Sequence, residues 1–298
     1  PLNDLPNPYE RIFPWAEMPN GLAWGQAIGV EQGPDGNIYA FHRCFENLCV
    51  DRDEPPILVF TTSGEFVRSW GEGMFIRPHG FHIDAAGNVW TTDDRAHVVY
   101  KFDANGTLLM TLGKEGIRGQ GPDIFDQPTD VFVAPDGNIF VTNGHGMGAN
   151  RVMKLTSDGE FIKAWGSTGS GEGQFDIPHA LEMDSQGRLF IGDRNNGRVQ
   201  IFDQEGNFLD QWSQFGRPSG LAIGADDMLY VCKESGRNKV CVRGFDKIDE
   251  VVALKIKVDK MKNTDQDAAR ELQKELNQLL IERGRADEVK PVEGDSST

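Results

Sequence analysis

The sequence predicts an all-β fold, a β-propeller built from four-stranded blades, with a C-terminal helical extension. Three observations carry that reading. A turn recurs with a period near 50 residues: Asp35-Gly36-Asn37-Ile38, Ala86-Gly87-Asn88-Val89, Asp136-Gly137-Asn138-Ile139 and Gln186-Gly187-Arg188-Leu189. A fifth copy, Asp226-Asp227-Met228-Leu229, carries aspartate in place of the glycine. A proline opens the units at Pro78, Pro128, Pro178 and Pro218, and a second hairpin closes them, as in SGEFVRSWG (63–71) and DGEFIKAWG (158–166).

Each unit therefore reads as strand, turn, strand, loop, strand, glycine turn, strand. Asp-Gly and Asn-Gly accept the positive φ of tight hairpins, and alternation such as Phe161-Ile162-Lys163-Ala164-Trp165 marks half-buried strands. Four short strands per 40 to 50 residues make a propeller blade, and one blade cannot bury both faces alone, so blades stack around an axis. Five clear copies span 27–71, 77–113, 127–166, 177–213 and 217 to about 245. The propeller is placed at 1–250, where Tyr9-Glu10-Arg11-Ile12-Phe13 is a candidate closing strand for the last blade.

Beyond it, Leu254, Val258 and Met261, then Leu272, Leu276 and Leu279, follow helical spacing around Thr264-Asp265-Gln266-Asp267, which is placed like an N-cap. This predicts a helical hairpin over 251–285 whose apolar stripe packs on the propeller or on a second copy of itself. Residues 286–298, rich in Asp, Glu, Gly and Ser, read as a disordered tail.

Thirty Lys and Arg against 46 Asp and Glu give a net charge of −16, which argues against nucleic acid and anionic membrane surfaces as partners. No run of about 18 apolar residues is present to span a membrane. A cation, or a small-molecule or peptide substrate, suits this field. Cys44 and Cys49, and Cys232 and Cys241, are two locally spaced pairs; they close disulfides in an oxidising compartment or stand as free buried thiols. The first alternative goes with a secreted or periplasmic location.

The innermost strands of a propeller begin near one mouth of its channel, so the position after each repeat proline is where side chains converge. That slot holds His79, Thr129, His179 and Ser219. Neutral imidazole is the commonest metal ligand, but a catalytic zinc takes three protein ligands. The paired histidines are therefore either two-thirds of a metal set or channel residues bonded to backbone.

The units resemble NHL repeats, over roughly residues 20 to 235. The segments Gly25-Gln26-Ala27-Ile28-Gly29-Val30, Phe41-His42-Arg43, Pro78-His79-Gly80, Gln127-Pro128-Thr129-Asp130-Val131, Pro178-His179 and Asp193-Arg194-Asn195-Asn196-Gly197-Arg198 further resemble the peptidyl-α-hydroxyglycine α-amidating lyases. Those enzymes are six-bladed propellers with a channel zinc and a structural calcium. They cleave the carbinolamide carbon–nitrogen bond of a C-terminal hydroxyglycine, giving a peptide amide and glyoxylate. The resemblance implies that His79 and His179 are two of three zinc ligands and that Arg43 and Arg194 are active-site arginines. It also implies that the backbone carbonyls of Val30 and Phe81 are calcium ligands.

Two departures qualify this. The family's third zinc histidine lies in a Pro-His-Asp of the last blade, where this chain offers only Pro218-Ser219-Gly220. The family's active-site tyrosine aligns with His145 in Asn143-Gly144-His145-Gly146, a loop longer by about two residues. His145 is thus a candidate third metal ligand or a general base, and a glycine-rich loop also suits a solvent-exposed histidine. Arg43 and Arg194 are equally readable as structural partners of Asp93, Asp94 or Asp193. The expectation is a metal-dependent, lyase-like enzyme acting at the channel mouth, with hydrolysis as the second chemistry. A non-catalytic propeller that binds ligands or proteins is the competing reading.

Overall fold

The computed structural model describes residues 14–22, 24–44, 47–146, 148, 150–235, 238–243 and 266–282. Four sheets have four antiparallel strands each, in sequential order. The first comprises β1 (Gln26–Gln32), β2 (Ile38–Arg43), β3 (Ile57–Phe60) and β4 (Phe66–Trp70). The second runs β5 (Pro78–Ile83), β6 (Val89–Asp93), β7 (Val98–Phe102) and β8 (Leu108–Gly113). The third is β9 (Pro128–Val133), β10 (Ile139–Asn143), β11 (Arg151–Leu155) and β12 (Phe161–Trp165). After a short parallel pair, β13 (Ser167–Thr168) with β14 (Gln174–Phe175), the fourth is β15 (Pro178–Met183), β16 (Leu189–Asp193), β17 (Arg198–Phe202) and β18 (Phe208–Trp212). The fifth has three strands among the described residues, β19 (Pro218–Ile223), β20 (Leu229–Ser235) and β21 (Asn238–Arg243).

The turns form for the reason their sequences give. Gly36, Gly87, Gly137 and Gly187 have φ of 81°, 83°, 87° and 76°, and Asp227 adopts the same left-handed conformation at 57°. That costs a non-glycine residue about 1 kcal/mol. The Asp227 carboxylate offsets part of it by accepting hydrogen bonds from the backbone N–H and the hydroxyl of Ser185.

The hydrophobic cores lie between blades rather than within them. Tyr39, Phe41, Ile57 and Val59 of the first pack on Phe81, Val89, Val98 and Phe102 of the second. Trp90, Val99 and Leu112 then meet Val131, Ile139, Val141 and Met153, and Phe140 and Val152 meet Leu181, Leu189, Ile191 and Phe202. Phe190, Val199 and Ile201 meet Leu229 and Val231. Each large side chain so buried is worth roughly 1.5–3 kcal/mol, which a lone blade forgoes on both faces. The other face of the first blade, with Ala40, Leu58 and Phe60, is covered by Trp15, Ala16, Met18 and Leu22 instead of by a blade.

Inner strands neighbour one another in the order β1, β5, β9, β15, β19, and among the described residues the series stops there. Five blades are thus present among the described residues, where the resemblance implied six in the whole ring. Helix α1 (Gln266–Glu282) forms where periodicity placed the second helix, with Ala269, Leu276 and Leu280 buried. The Tyr9–Phe13 strand, the helix over Leu254–Met261 and the 286–298 tail fall outside the described residues.

Candidate functional site

The entries to β5, β9 and β15 are each clamped by a polar side chain ending the second strand of the same blade. Asp93 accepts the N–H groups of Ile76 and Arg77 at 2.6–3.1 Å, Asn143 accepts that of Asp126 at 3.0 Å, and Asp193 that of Asp176 at 2.8 Å. Phe75, Phe125, Phe175 and Phe215 are buried a few residues before the repeat prolines and anchor the same corners. Ile177, immediately before Pro178, has φ 61°. A β-branched residue rarely tolerates that conformation, so strain is concentrated at the slot. These restraints aim His79 and His179 into one cavity of about 800 Å3, lined by all five inner strands.

His145 reaches the same cavity from the β10–β11 loop. Glycine on either side makes this possible. A Cβ on Gly144 would lie 2.3 Å from the Pro178 carbonyl oxygen, and one on Gly146 would lie 2.2 Å from the Asp126 carboxyl carbon. The loop therefore packs against the fourth blade, and the His145 side chain is only 11% exposed. The solvent-exposed alternative does not hold.

The three imidazoles meet edge to face, with ring centroids 4.6 Å (His79 and His145), 4.8 Å (His79 and His179) and 5.2 Å (His145 and His179) apart. One ring nitrogen of each lies within 4.8 Å of the others. Every Nδ1 donates to an oxygen: His79 to the Thr129 carbonyl at 2.6 Å, His179 to the Ser219 carbonyl at 2.9 Å, and His145 to Asp94 Oδ2 at 2.7 Å. Carbonyls and carboxylates only accept, so these bonds fix the Nδ1–H tautomer and make Nε2 the unprotonated nitrogen of each ring. Burial holds His79 well below the ordinary imidazole range, reinforced by His179 and His145. Burial likewise lowers His145, against the pull of Asp94. Lowering favours the neutral imidazole at His79 and His145, the form that binds a divalent metal.

Arg43 and Arg194 line the cavity as expected. Arg43 does not form the considered ion pair: its Nε donates to the Pro78 carbonyl at 3.0 Å and its Nη1 to Gln26 Oε1 and Asn47 Oδ1. Asp193 instead serves Arg198 at 2.8 Å, and Asp94 serves Arg77 at 3.3 Å and His145. Burial, followed by the nearby Arg77 and Arg194 charges, brings Arg43 down to about 10. Of the remaining histidines, His82 lines the same cavity, stacked on Phe132 at 4.4 Å, and His42 and His97 lie outside it. His42 is fully buried with Nε2 donating to the Pro55 carbonyl, and His97 Nδ1 accepts the Gln127 N–H.

Val30 and Phe81 share one channel wall, because Gly29 lets β1 approach β5: a Cβ there would lie 2.4 Å from Phe81 Cβ. The same cavity contains residues that the sequence reading left aside. Asp130 is driven up to about 7 by burial, and Glu182 well above its usual range by burial and by Glu31 and Asp130. Arg77 stands before the repeat proline, one place outside the slot where the side chains of successive blades converge. Its signal is a lone cation beside Pro78-His79.

Cys44 and Cys49 form a disulfide, and Cys232 is disulfide-bonded as well, with Cys241 opposite it on the β20–β21 ladder. The free-thiol alternative is thereby corrected for Cys44, Cys49 and Cys232.

The NHL repeat family profile matches residues 175–202. The chain is 38% identical over 222 residues to peptidyl-glycine alpha-amidating monooxygenase A of Xenopus laevis, covering 66% of this chain and 24% of that protein. It is 32% identical over 240 residues to peptidyl-alpha-hydroxyglycine alpha-amidating lyase 1 of Drosophila melanogaster, covering 71% and 43%. NHL repeat-containing protein 3 of Homo sapiens is 36% identical over 169 residues, covering 53% and 48%. The chain thus spans between a quarter and a half of the length of these relatives. Among solved structures, a nidogen/laminin complex superposes with a TM-score of 0.58 at 16% identity, over 73% of this chain and 75% of that one, a likeness of fold alone. The chain is an NHL-repeat β-propeller that resembles the amidating lyases.

Proposed function

We propose that the channel mouth is the active site of a metal-dependent lyase acting on hydroxyglycine-type carbinolamides. The observation that carries the reading is the triad itself, one buried and two half-buried imidazoles with every Nδ1 tied to oxygen and one ring nitrogen of each gathered within 4.8 Å. That donor set fits zinc: three nitrogen ligands, each oriented by an outer hydrogen bond, with a fourth position open to substrate. His79, His145 and His179 would hold it, so His145 takes the role of third ligand rather than base. When bound, the metal supplies Lewis acidity toward a substrate oxygen.

The chain's own groups do the rest. Arg43 and Arg194 orient the substrate carboxylate, a task suited to a planar guanidinium fork. Arg43 is braced for it by the Pro78 carbonyl and the Gln26 and Asn47 side chains. Asp94 accepts the His145 proton and keeps that ring in register. In the net reaction the hydroxyl hydrogen moves to the amide nitrogen as the carbon–nitrogen bond breaks, leaving an amide and glyoxylate. The cavity lining that includes Val30 and Phe81 also includes Glu31, Asp130 and Glu182, oxygen-bearing residues of the kind calcium takes, and we place the calcium there.

The test is incubation of zinc-loaded protein with an N-acyl-α-hydroxyglycine and detection of glyoxylate. Release that disappears in Arg43→Ala and His179→Ala is expected. No release from any N-acyl-α-hydroxyglycine by zinc-loaded protein would overturn the reading.

A further inference from the structure

We infer that the cavity beside the channel mouth, lined by Leu48, Val50, Arg52, Ile76, Arg77 and Arg95, is a second substrate subsite that seats an acidic side chain. That side chain belongs to the residue preceding the reacting hydroxyglycine, so the inference rests on the function proposed above. The cavity encloses about 600 Å3, and Arg77 lines both it and the channel. The two spaces are joined a second way: Asn47, on the cavity wall, accepts a hydrogen bond of 2.7 Å from Arg43 Nη1. A substrate whose carboxylate rests on Arg43 therefore has its preceding residue beside this wall.

Charge names the occupant. Arg52 is satisfied by Glu54. Arg77 shares its counter-ion, Asp94, with His145, and its buried Nε has no hydrogen-bond partner. Arg95 is exposed, and among the described residues its side chain pairs with no carboxylate. Two guanidinium groups thus line one cavity, Arg95 without a carboxylate partner among the described residues and Arg77 sharing its own, on a chain whose net charge is −16. A carboxylate between them forms charge-assisted hydrogen bonds where a lysine side chain is repelled. Leu48 and Val50, 44% and 49% exposed, supply apolar surface for the methylenes of such a side chain. The Cys44–Cys49 disulfide holds this wall in place.

The probes are the N-acetylated dipeptides Glu-Gly, Gln-Gly and Lys-Gly, which keep the C-terminal carboxylate and cannot react. Binding to the zinc-loaded protein is measured by calorimetry at low and high salt. Glu-Gly is expected to bind about tenfold more tightly than Lys-Gly, the scale of one charge-assisted contact, with Gln-Gly between them. The ratio should shrink as salt rises and reverse in Arg95→Glu. Equal affinities, no measurable binding of any of the three, or an unchanged ratio in Arg95→Glu would overturn the subsite. Absence of glyoxylate release alongside clear Glu-Gly selectivity would overturn the lyase reading and leave the subsite standing.

Discussion

Asp94 Oδ2 stands 2.7 Å from His145 Nδ1, on a carboxylate with no solvent exposure. Arg77 Nη1 lies 3.3 Å from the same oxygen. His79 and His179 are tied to backbone carbonyls, whereas His145 is oriented by a charged group. Outer partners of metal-bound histidines are typically worth 10–100-fold in metal affinity. Asp94→Asn should therefore weaken zinc binding by about that factor, read by competition with a chromophoric chelator. Unchanged affinity would remove Asp94 from the account.

Gly144 is held where no side chain fits, its place for a Cβ lying 2.3 Å from a backbone oxygen of the fourth blade. Gly144→Ala must push the loop outward and withdraw His145. The expected result is loss of zinc with the propeller still folded, because the loop lies outside the inter-blade cores. Retained stoichiometric zinc in a folded Gly144→Ala protein would show that the loop does not position the ligand.

Arg43 donates through Nε and Nη1 to three separate oxygens, a geometry lysine cannot reproduce. Both Arg43→Ala and Arg43→Lys should raise KM at least tenfold for a carboxylate-bearing substrate, with zinc content unchanged. Activity near wild type in Arg43→Lys would reduce its role to simple charge.

In protein stripped of calcium by a chelator, burial lifts Asp130 from its ordinary 3.8 to about 7. Between those values the native state holds a proton that the unfolded state has released, so this group's contribution to stability declines as pH rises through that window. The slope approaches about 1.4 kcal/mol per pH unit at its steepest. Asp130→Asn should remove that component. Unfolding titrations at pH 4, 5.5 and 7 should show the variant gaining on the wild type as pH increases, and a constant difference would refute the assignment.

The Cys44–Cys49 bridge closes a six-residue loop carrying Asn47, the partner of Arg43. Reduction should cost about 2 kcal/mol on the chain-entropy scale. It should also raise KM, because Asn47 loses its fixed position. Stability loss without a change in KM would separate the loop from the site.

The blades were legible because their signals are local: glycine at a positive-φ turn, apolar alternation, and a proline at each inner strand. Even the exception at Asp227 kept the turn, with the left-handed backbone intact. The slot histidines were legible because symmetry carries equal positions to equal places. His145 was found by alignment, but its inward orientation was not legible, since it depends on Gly144 lying against the distant Pro178 backbone. Asp94 was legible as an arginine partner, but its pairing with Arg77 and His145 was not, for a similar reason. A buried Arg-Asp-His chain joins the second blade to the third only after the blades stack, and no spacing within either repeat encodes it.

The central claim is that His79, His145 and His179 form one metal site. The most direct measurement is elemental analysis of protein equilibrated with zinc and then desalted, beside His145→Ala. The account predicts about one zinc per chain in the wild type and a large loss in the variant. Zinc absent from both, or retained equally by His145→Ala, would contradict it.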